Sequence, residues 1–260
     1  MIARHGLDAR RALGQHFLLD GNLTTRIARQ AGDLAGCHVV EVGPGPGGLT
    51  RALLAAGPAG VTAVELDPRA IAAMRELAAG EPNLTVVAGD ALALDLAGLV
   101  PAPRQIVANL PYNIASPLLV GWLRQAASWQ RLTLMFQLEV AERIAASPGS
   151  AAYGRLSVLA QWVAGVELRL RIPPAAFVPP PAVWSAVVVL TPHAAQPPPA
   201  LFAAMERLTA AAFGQRRKML RGSLRSLGGA DLLAQAGIDP ERRAETLDIA
   251  EFDRLAGLLA

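Results

Sequence analysis

The chain of 260 residues has one cysteine, Cys37. That excludes an intrachain disulfide and any cysteine-built zinc cage, and it favours a reducing compartment, so a cytoplasmic protein with no disulfide-linked partner is expected; no metal site is expected either. Aromatic residues make up only 5% of the chain, so its core must be assembled mainly from Ala, Leu and Val. Charged residues are also few, at 17% against 52% hydrophobic. This balance rules out a disordered polymer, because enough apolar surface is available to offset the entropy of ordering. Behind Arg4, Arg10 and Arg11 there is no apolar stretch, so no export signal is expected. The longest stretch free of Asp, Glu, Lys and Arg, from Ile172 to Met205, has the length of a membrane span, but its many prolines break any such helix.

Acidic residues are missing from one further place. Net charge is only +3, yet Arg207, Arg216, Arg217, Lys218, Arg221 and Arg225 follow one another with no acidic residue between them. Such a run is either a solvated helix face or an anion-binding surface that suits nucleic acid.

From Cys37 to Gln137, β-branched apolar runs alternate with Ala/Leu-rich amphipathic stretches, the pattern of a parallel sheet covered on both faces. Strands are expected at His38–Val42, Val61–Glu65, Thr85–Ala88, Gln105–Ala108 and Leu132–Gln137. Helices are expected at Leu49–Ala56, Pro68–Ala79 and Ser116–Ala127, with Pro68 in a first turn and Ser116 as a cap. Val166–Ile172 and Val183–Leu190 read as a closing, hairpin-like antiparallel pair around the proline-rich turn 173–181. Residues 192–199 are proline-dense and aperiodic, which marks a linker between a domain at 1–191 and a small helical domain at 200–260. Helical patterning there covers Ala200–Phe213, a short segment from Met219, Asp231–Ala236 and Ala250–Leu259.

Gly43, Gly45 and Gly48 follow the first of these strands and precede a helix, where glycines let backbone approach a nucleotide and helix amides face it. The spacing G-x-G-x-x-G suits NAD, FAD or S-adenosylmethionine equally. Glu65 ends the second strand, where a carboxylate can accept from both ribose hydroxyls. The alternative is a solvated strand-end acid, a role that Asp67 fits better. Asp90, after the third strand, either accepts from the amine of an adenine or caps a helix. Asn109-Leu110-Pro111-Tyr112 ends the fourth strand and is the most specific feature, with an amide oxygen, a fixed backbone and a flat aromatic face at the open edge of the sheet. His16, read without further context, is a surface residue of an N-terminal arm.

Through Gly14 to Leu18, the glycine loop from Glu41, Glu65, Gly89-Asp90, Asn109 to Tyr112, Phe177 to Val183, and Phe213 to Lys218, the chain resembles the ribosomal RNA adenine N6-dimethyltransferases, and among them the small-subunit branch. The resemblance implies a Rossmann-like class I methyltransferase domain, a mostly parallel seven-stranded sheet with an antiparallel edge, followed by a small α-helical domain. It also implies an S-adenosylmethionine site at His16, Leu18, Gly43, Gly45, Glu65, Asp90 and Asn109. His16 stands where many relatives have Asn. A target-adenine pocket would use Asn109, Leu110, Tyr112 and Phe177, and Arg216, Arg217, Lys218 and Arg221 would hold RNA phosphates. The implied substrate is two adjacent adenosines in a hairpin near the 3′ end of small-subunit ribosomal RNA, each methylated twice, in the assembling 30S subunit, by a monomeric enzyme. Three rivals stand beside this reading: a large-subunit ribosomal RNA methyltransferase, a dinucleotide-dependent oxidoreductase and a noncatalytic assembly factor.

Overall fold

The computed structural model describes residues 16–215 and 218–260. The chain divides into two compact units, one made of 16–141 and Glu167–Pro192, the other of Glu142–Val166 and His193–Ala260. The expected division at 191/200 therefore differs from the packing: the segment Glu142–Val166 belongs with the C-terminal helices although it lies far upstream of them.

The strands are β1 Phe17–Leu18, β2 His38–Val42, β3 Gly60–Glu65, β4 Leu84–Ala88, β5 Arg104–Asn109, β6 Arg131–Gln137, β7 Ala164–Ile172, β8 Phe177–Val178 and β9 Ser185–Pro192. Seven of them form one sheet in the order β4-β3-β2-β5-β6-β9-β7. Strand β2 pairs in parallel with β3 and β5, β3 with β4, and β5 with β6, while β9 runs antiparallel to β6. The chain builds outward from β2 to β4, then returns to lay β5 on the other side of β2. That reversal opens a crevice at the C-terminal ends of β2 and β5, where the loops leaving them diverge.

The apolar runs become strands because both faces of the sheet are covered. Val39, Val40, Ile106, Val107, Leu132, Leu134, Val187 and Val188 are all buried. Helices α1 Gly21–Ala28, α2 Gly48–Ala55, α3 Pro68–Ala78 and α4 Ala115–Arg124 accompany the sheet. Asp20 caps α1 by accepting from the amides of Asn22 (2.8 Å) and Leu23 (3.4 Å). Asp67 caps α3, with Pro68 in the first turn as expected. Ser116 does not cap α4. The turn from Pro111, closed by the Ile114 amide on the Pro111 carbonyl, starts the helix earlier, and Ile114 stands at the N-cap without a side-chain bond.

The closing pair of strands is present, with β9 inside the sheet and β7 at its edge. Between them, β8 leaves to pair antiparallel with β1, Phe17 opposite Val178 and Leu18 opposite Phe177. This two-stranded sheet was not expected from the sequence.

Helix α5 Leu138–Ile144 follows directly from β6 and carries the chain from the first unit into the second, where α6 Arg155–Val163, α7 Pro199–Gly214, α8 Leu220–Ser223, α9 Gly229–Gln235 and α10 Ile249–Gly257 follow. In the second unit, Tyr153 meets Phe213 edge-on at 6.1 Å between ring centroids, and Phe213 stacks on Phe252 at 5.7 Å. A reciprocal cap starts α10: the Glu251 amide donates to Asp248 at 2.8 Å and the Asp248 amide to Glu251 at 2.9 Å. Arg242 clamps the Glu251 carboxylate, holding its pKa below the usual carboxylate range.

Candidate active site

At the switch point lies a cavity of about 410 Å³, the size range of small-molecule sites. The glycine loop forms one wall. Gly43 and Gly45 take left-handed φ of 69° and 54°, which turns the chain sharply out of β2. Gly48, at the start of α2, lies against the Leu18 carbonyl so closely that a Cβ would be driven into that oxygen. A Cβ on Gly45 would meet the Phe17 ring at 2.9 Å. The glycines therefore serve two ends: they let the loop turn, and they let β1 pack down on it.

Glu65 closes the end of β3 and is 8% exposed. Its Oε1 accepts from the amides of Leu66 (2.8 Å) and Asp67 (2.9 Å), and its Oε2 from Gly45 at a longer 3.3 Å. Burial pushes its pKa up and these three bonds pull it down, with burial the larger effect. A carboxylate offers about four lone-pair sites, so Glu65 keeps room at Oε2 for one further donor, where two ribose hydroxyls were expected. Asp67 is not a solvated acid: it is 5% exposed, caps α3 and pairs with Arg69 at 2.6 Å. Asp90 accepts from the Leu92 amide at 2.9 Å, closing a tight turn, and its carboxylate borders the cavity. Leu66 and Leu92, each exposed by about half or more, also line it. Neither belongs to a motif, and the one signal in the sequence is that each follows an acidic residue at a strand end by one or two positions.

Glu41, on β2, begins the glycine motif and has a further part in the site. It is buried in the cavity wall, accepts from the Thr50 hydroxyl at 2.6 Å, and has its pKa pushed up to about 8, chiefly by burial, with the charge of Glu65 adding to the effect.

The opposite wall is the turn after β5. The Asn109 amide nitrogen donates to the His16 carbonyl at 3.1 Å. Because the partner is a carbonyl, the donor must be Nδ2, which fixes the amide and leaves Oδ1 as its acceptor. Leu110 is buried and lines the cavity through the turn. The Tyr112 hydroxyl bonds Ser185 Oγ at 2.6 Å, and burial raises its pKa against the effect of that bond. The His16 ring stacks on Tyr112, with centroids 5.5 Å apart and planes 28° apart, and its Nδ1 lies 2.9 Å from the Pro179 carbonyl. His16 is thus not an isolated arm residue. Its carbonyl orients Asn109 and its ring backs Tyr112.

Phe177 departs from its expected place. It is 2% exposed, packs edge-on to His16 at 6.5 Å, and is not among the residues lining the cavity. Its alternate neighbour in β8, Val178, takes the exposed side, because the two-stranded sheet turns Phe177 into the core. Of the basic cluster, Arg216 and Arg217 lie outside the described residues. The Lys218 amide donates to the Gln215 carbonyl, and Arg221 stands 3.5 Å from Glu241, an acidic residue distant in sequence, with both side chains exposed.

A mostly parallel seven-stranded sheet of this order, with a glycine loop, a strand-end carboxylate and an Asn-Leu-Pro-Tyr turn around one cavity, defines a Rossmann-like methyltransferase domain followed by helices. The model of the ribosomal RNA adenine dimethylase family matches residues 6–260. The ribosomal RNA small subunit methyltransferase A of Gluconobacter oxydans is 66% identical over 258 residues, covering 99% of this chain and 85% of that protein. That of Paramagnetospirillum magneticum is 58% identical, covering 100% and 93%. Among solved structures, a dimethyladenosine transferase from Plasmodium falciparum superposes with a TM-score of 0.78 at 26% identity, covering 92% of this chain and 96% of that one. The 23S rRNA methyltransferase ErmE superposes with a TM-score of 0.68 at 28% identity, covering 94% and 99%. The chain belongs to the ribosomal RNA adenine dimethylase family.

Proposed function

We propose that the chain transfers methyl groups from S-adenosylmethionine to N6 of two adjacent adenosines in a hairpin near the 3′ end of 16S ribosomal RNA, giving N6,N6-dimethyladenosines during small-subunit assembly. Family membership over nearly the whole chain supports an enzyme acting on adenines of ribosomal RNA. It also sets aside the dinucleotide oxidoreductase, for which only the glycine spacing and Glu65 spoke. The observation that carries the chemistry is the fixed Asn109 amide, whose Oδ1 remains an acceptor at the cavity wall.

The residues present fit the cofactor. Gly43 and Gly45 allow close approach of an extended ligand, Glu65 has one acceptor site left for a ribose hydroxyl, and Asp90 can accept from an exocyclic amine between the apolar Leu66 and Leu92. When bound, S-adenosylmethionine supplies an electrophilic methyl group on a sulfonium. The nitrogen to be methylated is a weak nucleophile, because its lone pair is delocalised into the adenine ring. Asn109 Oδ1 and the Leu110 carbonyl accept its amino hydrogens and favour a pyramidal nitrogen. As positive charge builds on that nitrogen, the same acceptors stabilise it without reorganisation, and the charge is discharged when one amino proton leaves for solvent. Tyr112, held by Ser185 and His16, offers its ring to an extruded base, and extrusion costs least in a loop. Lys218, Arg221 and their basic neighbours in the sequence hold flanking phosphates. A monomer in the cytoplasm completes the reading; the buried Cys37 thiol fits a reducing compartment, and among the described residues no helix is long and apolar enough to cross a membrane.

The test is transfer of labelled methyl, in parallel, to 30S particles lacking the modification and to large-subunit ribosomal RNA. Dimethyladenosine in 16S RNA is expected, with Glu65→Ala and Asp90→Ala weakening cofactor binding by about 1–3 kcal/mol each in calorimetry. Label found only in large-subunit RNA would favour the large-subunit alternative, and intact binding with no transfer the noncatalytic one.

A further inference from the structure

The loop from Pro179 to Trp184 is tied to the candidate active site at both ends. At one end the Pro179 carbonyl meets His16 Nδ1, and at the other Trp184 precedes Ser185, which holds the Tyr112 hydroxyl. Backbone pairing fixes its exit, with the Leu138 amide donating to the Trp184 carbonyl at 2.8 Å. Three consecutive prolines restrict the loop, so little order remains to be imposed on binding.

On this loop and the strand before it stand three exposed apolar side chains, Val178 (53%), Val183 (44%) and Trp184 (48%). Trp184 is set apart from the other tryptophans. Trp122 and Trp129 are buried, and Trp162 donates to Asp253 and packs on Phe202. The Trp184 indole has no ring partner or hydrogen bond among the described residues. A single exposed aliphatic residue would mean nothing. A half-exposed indole on a restricted loop, one residue along the chain from Ser185, which anchors Tyr112, is a flat apolar surface that the backbone ties to the candidate target site.

We propose that Trp184, flanked by Val183 and Val178, is a second stacking platform, which receives the base of a nucleotide next to the adenosine being methylated. The inference rests on the RNA-adenine reading of the site. A base is the occupant that the chemistry favours. Loops present unstacked bases with two π-faces, and once the target adenosine leaves the stack for Tyr112, its neighbour loses a stacking partner that an indole can replace. Trp184 acts as a positioning residue: it holds the strand beside the target and touches neither the methyl donor nor the methylated nitrogen.

The test uses the full chain and a hairpin RNA carrying the two adjacent adenosines, with RNA binding and single-turnover methyl transfer measured separately. Trp184→Ala should raise the RNA KM and Kd on the order of tenfold, with cofactor affinity, melting temperature and kcat little changed. Trp184→Phe should restore most of the loss. Removing the base from one flanking nucleotide should cost the wild-type chain a similar factor, and cost Trp184→Ala nothing more. Equal RNA affinity in wild type and Trp184→Ala, or flanking-base penalties that simply add to the substitution, would overturn the platform. So would loss of self-association or of a ribosomal-protein contact with RNA binding intact. A wild-type chain that shows the Trp184-dependent binding but transfers no methyl to 30S particles lacking the modification would overturn the functional reading and leave the platform standing.

Discussion

The glycine loop after β2 and the Asn109–Tyr112 turn after β5 leave neighbouring strands and face one cavity, yet they are built by opposite means. The loop is local. Its shape follows from positive φ at Gly43 and Gly45 and from a helix that starts at Gly48, all within six residues. The turn is assembled from afar: Asn109 is fixed by His16, 93 positions away, and Tyr112 by Ser185, 73 positions away. A binding loop can take its shape from its own backbone conformation and then accept packing from β1, whereas a turn that must aim one amide oxygen needs side chains and carbonyls from other elements to hold it.

The largest test of this contrast is Asn109→Ala. It should lower the rate of methyl transfer by about 10²–10³-fold, the cost of one preorganised group at a developing charge, while cofactor binding stays near wild type and stability falls by only about 0.5–1.5 kcal/mol from the lost bond to His16. A melting temperature that falls in step with activity would show that Asn109 only pins the turn. Gly48→Ala should act in the reverse way. With a methyl forced against the Leu18 carbonyl, stability should drop by about 1–3 kcal/mol in denaturant titration, and cofactor affinity should fall with it. Unchanged stability would mean that β1 shifts without cost.

Smaller effects sharpen the comparison. Ser185→Ala, remote in sequence from the turn, should cost about 0.5–1.5 kcal/mol of stability and slow transfer without altering cofactor affinity, because it frees only the Tyr112 hydroxyl. The loop side carries a pH signature instead. The Glu41 pKa rises from 4.5 to about 8 on folding, so its contribution to stability is fully present below pH 4.5 and is lost as pH rises through 8. Glu41→Gln should flatten the decline of melting temperature between pH 5 and 9. Glu65, shifted in the same direction, should leave a residual slope.

This division also explains what could be read from the amino-acid order. The βα repeats of the first unit were legible because buried parallel strands are short β-branched runs, and strand ends carrying Gly, Glu, Asp or Asn mark the crevice. The pairing of β1 with β8 was not, since two residues carry no periodicity and their partners lie about 160 positions away. Helices α5 and α6 were missed for different reasons. Leu138 follows β6 without a breaker, and Ser157 to Ala160 are buried in succession, so no polar face marks the helix. Phe177 shows the limit of reading roles from motifs: its identity was plain, but its burial depends on pairing with Leu18. The basic run looked free of acids along the chain, yet folding brings Glu241 to Arg221.

The route of the chain between the units has a consequence for gene damage and for protein engineering. It leaves the first unit after Ala141, returns at Glu167 and leaves again after Pro192. The C-terminal quarter is therefore not a detachable tail. A premature stop codon near residue 192 would strip the buried Tyr153 of its packing against Phe213 and leave Glu142–Val166 as an uncovered apolar insertion between two strands of the remaining sheet. Such a product would be a target for proteolysis, and a workable minimal enzyme would need the inserted segment redesigned as well as the tail removed.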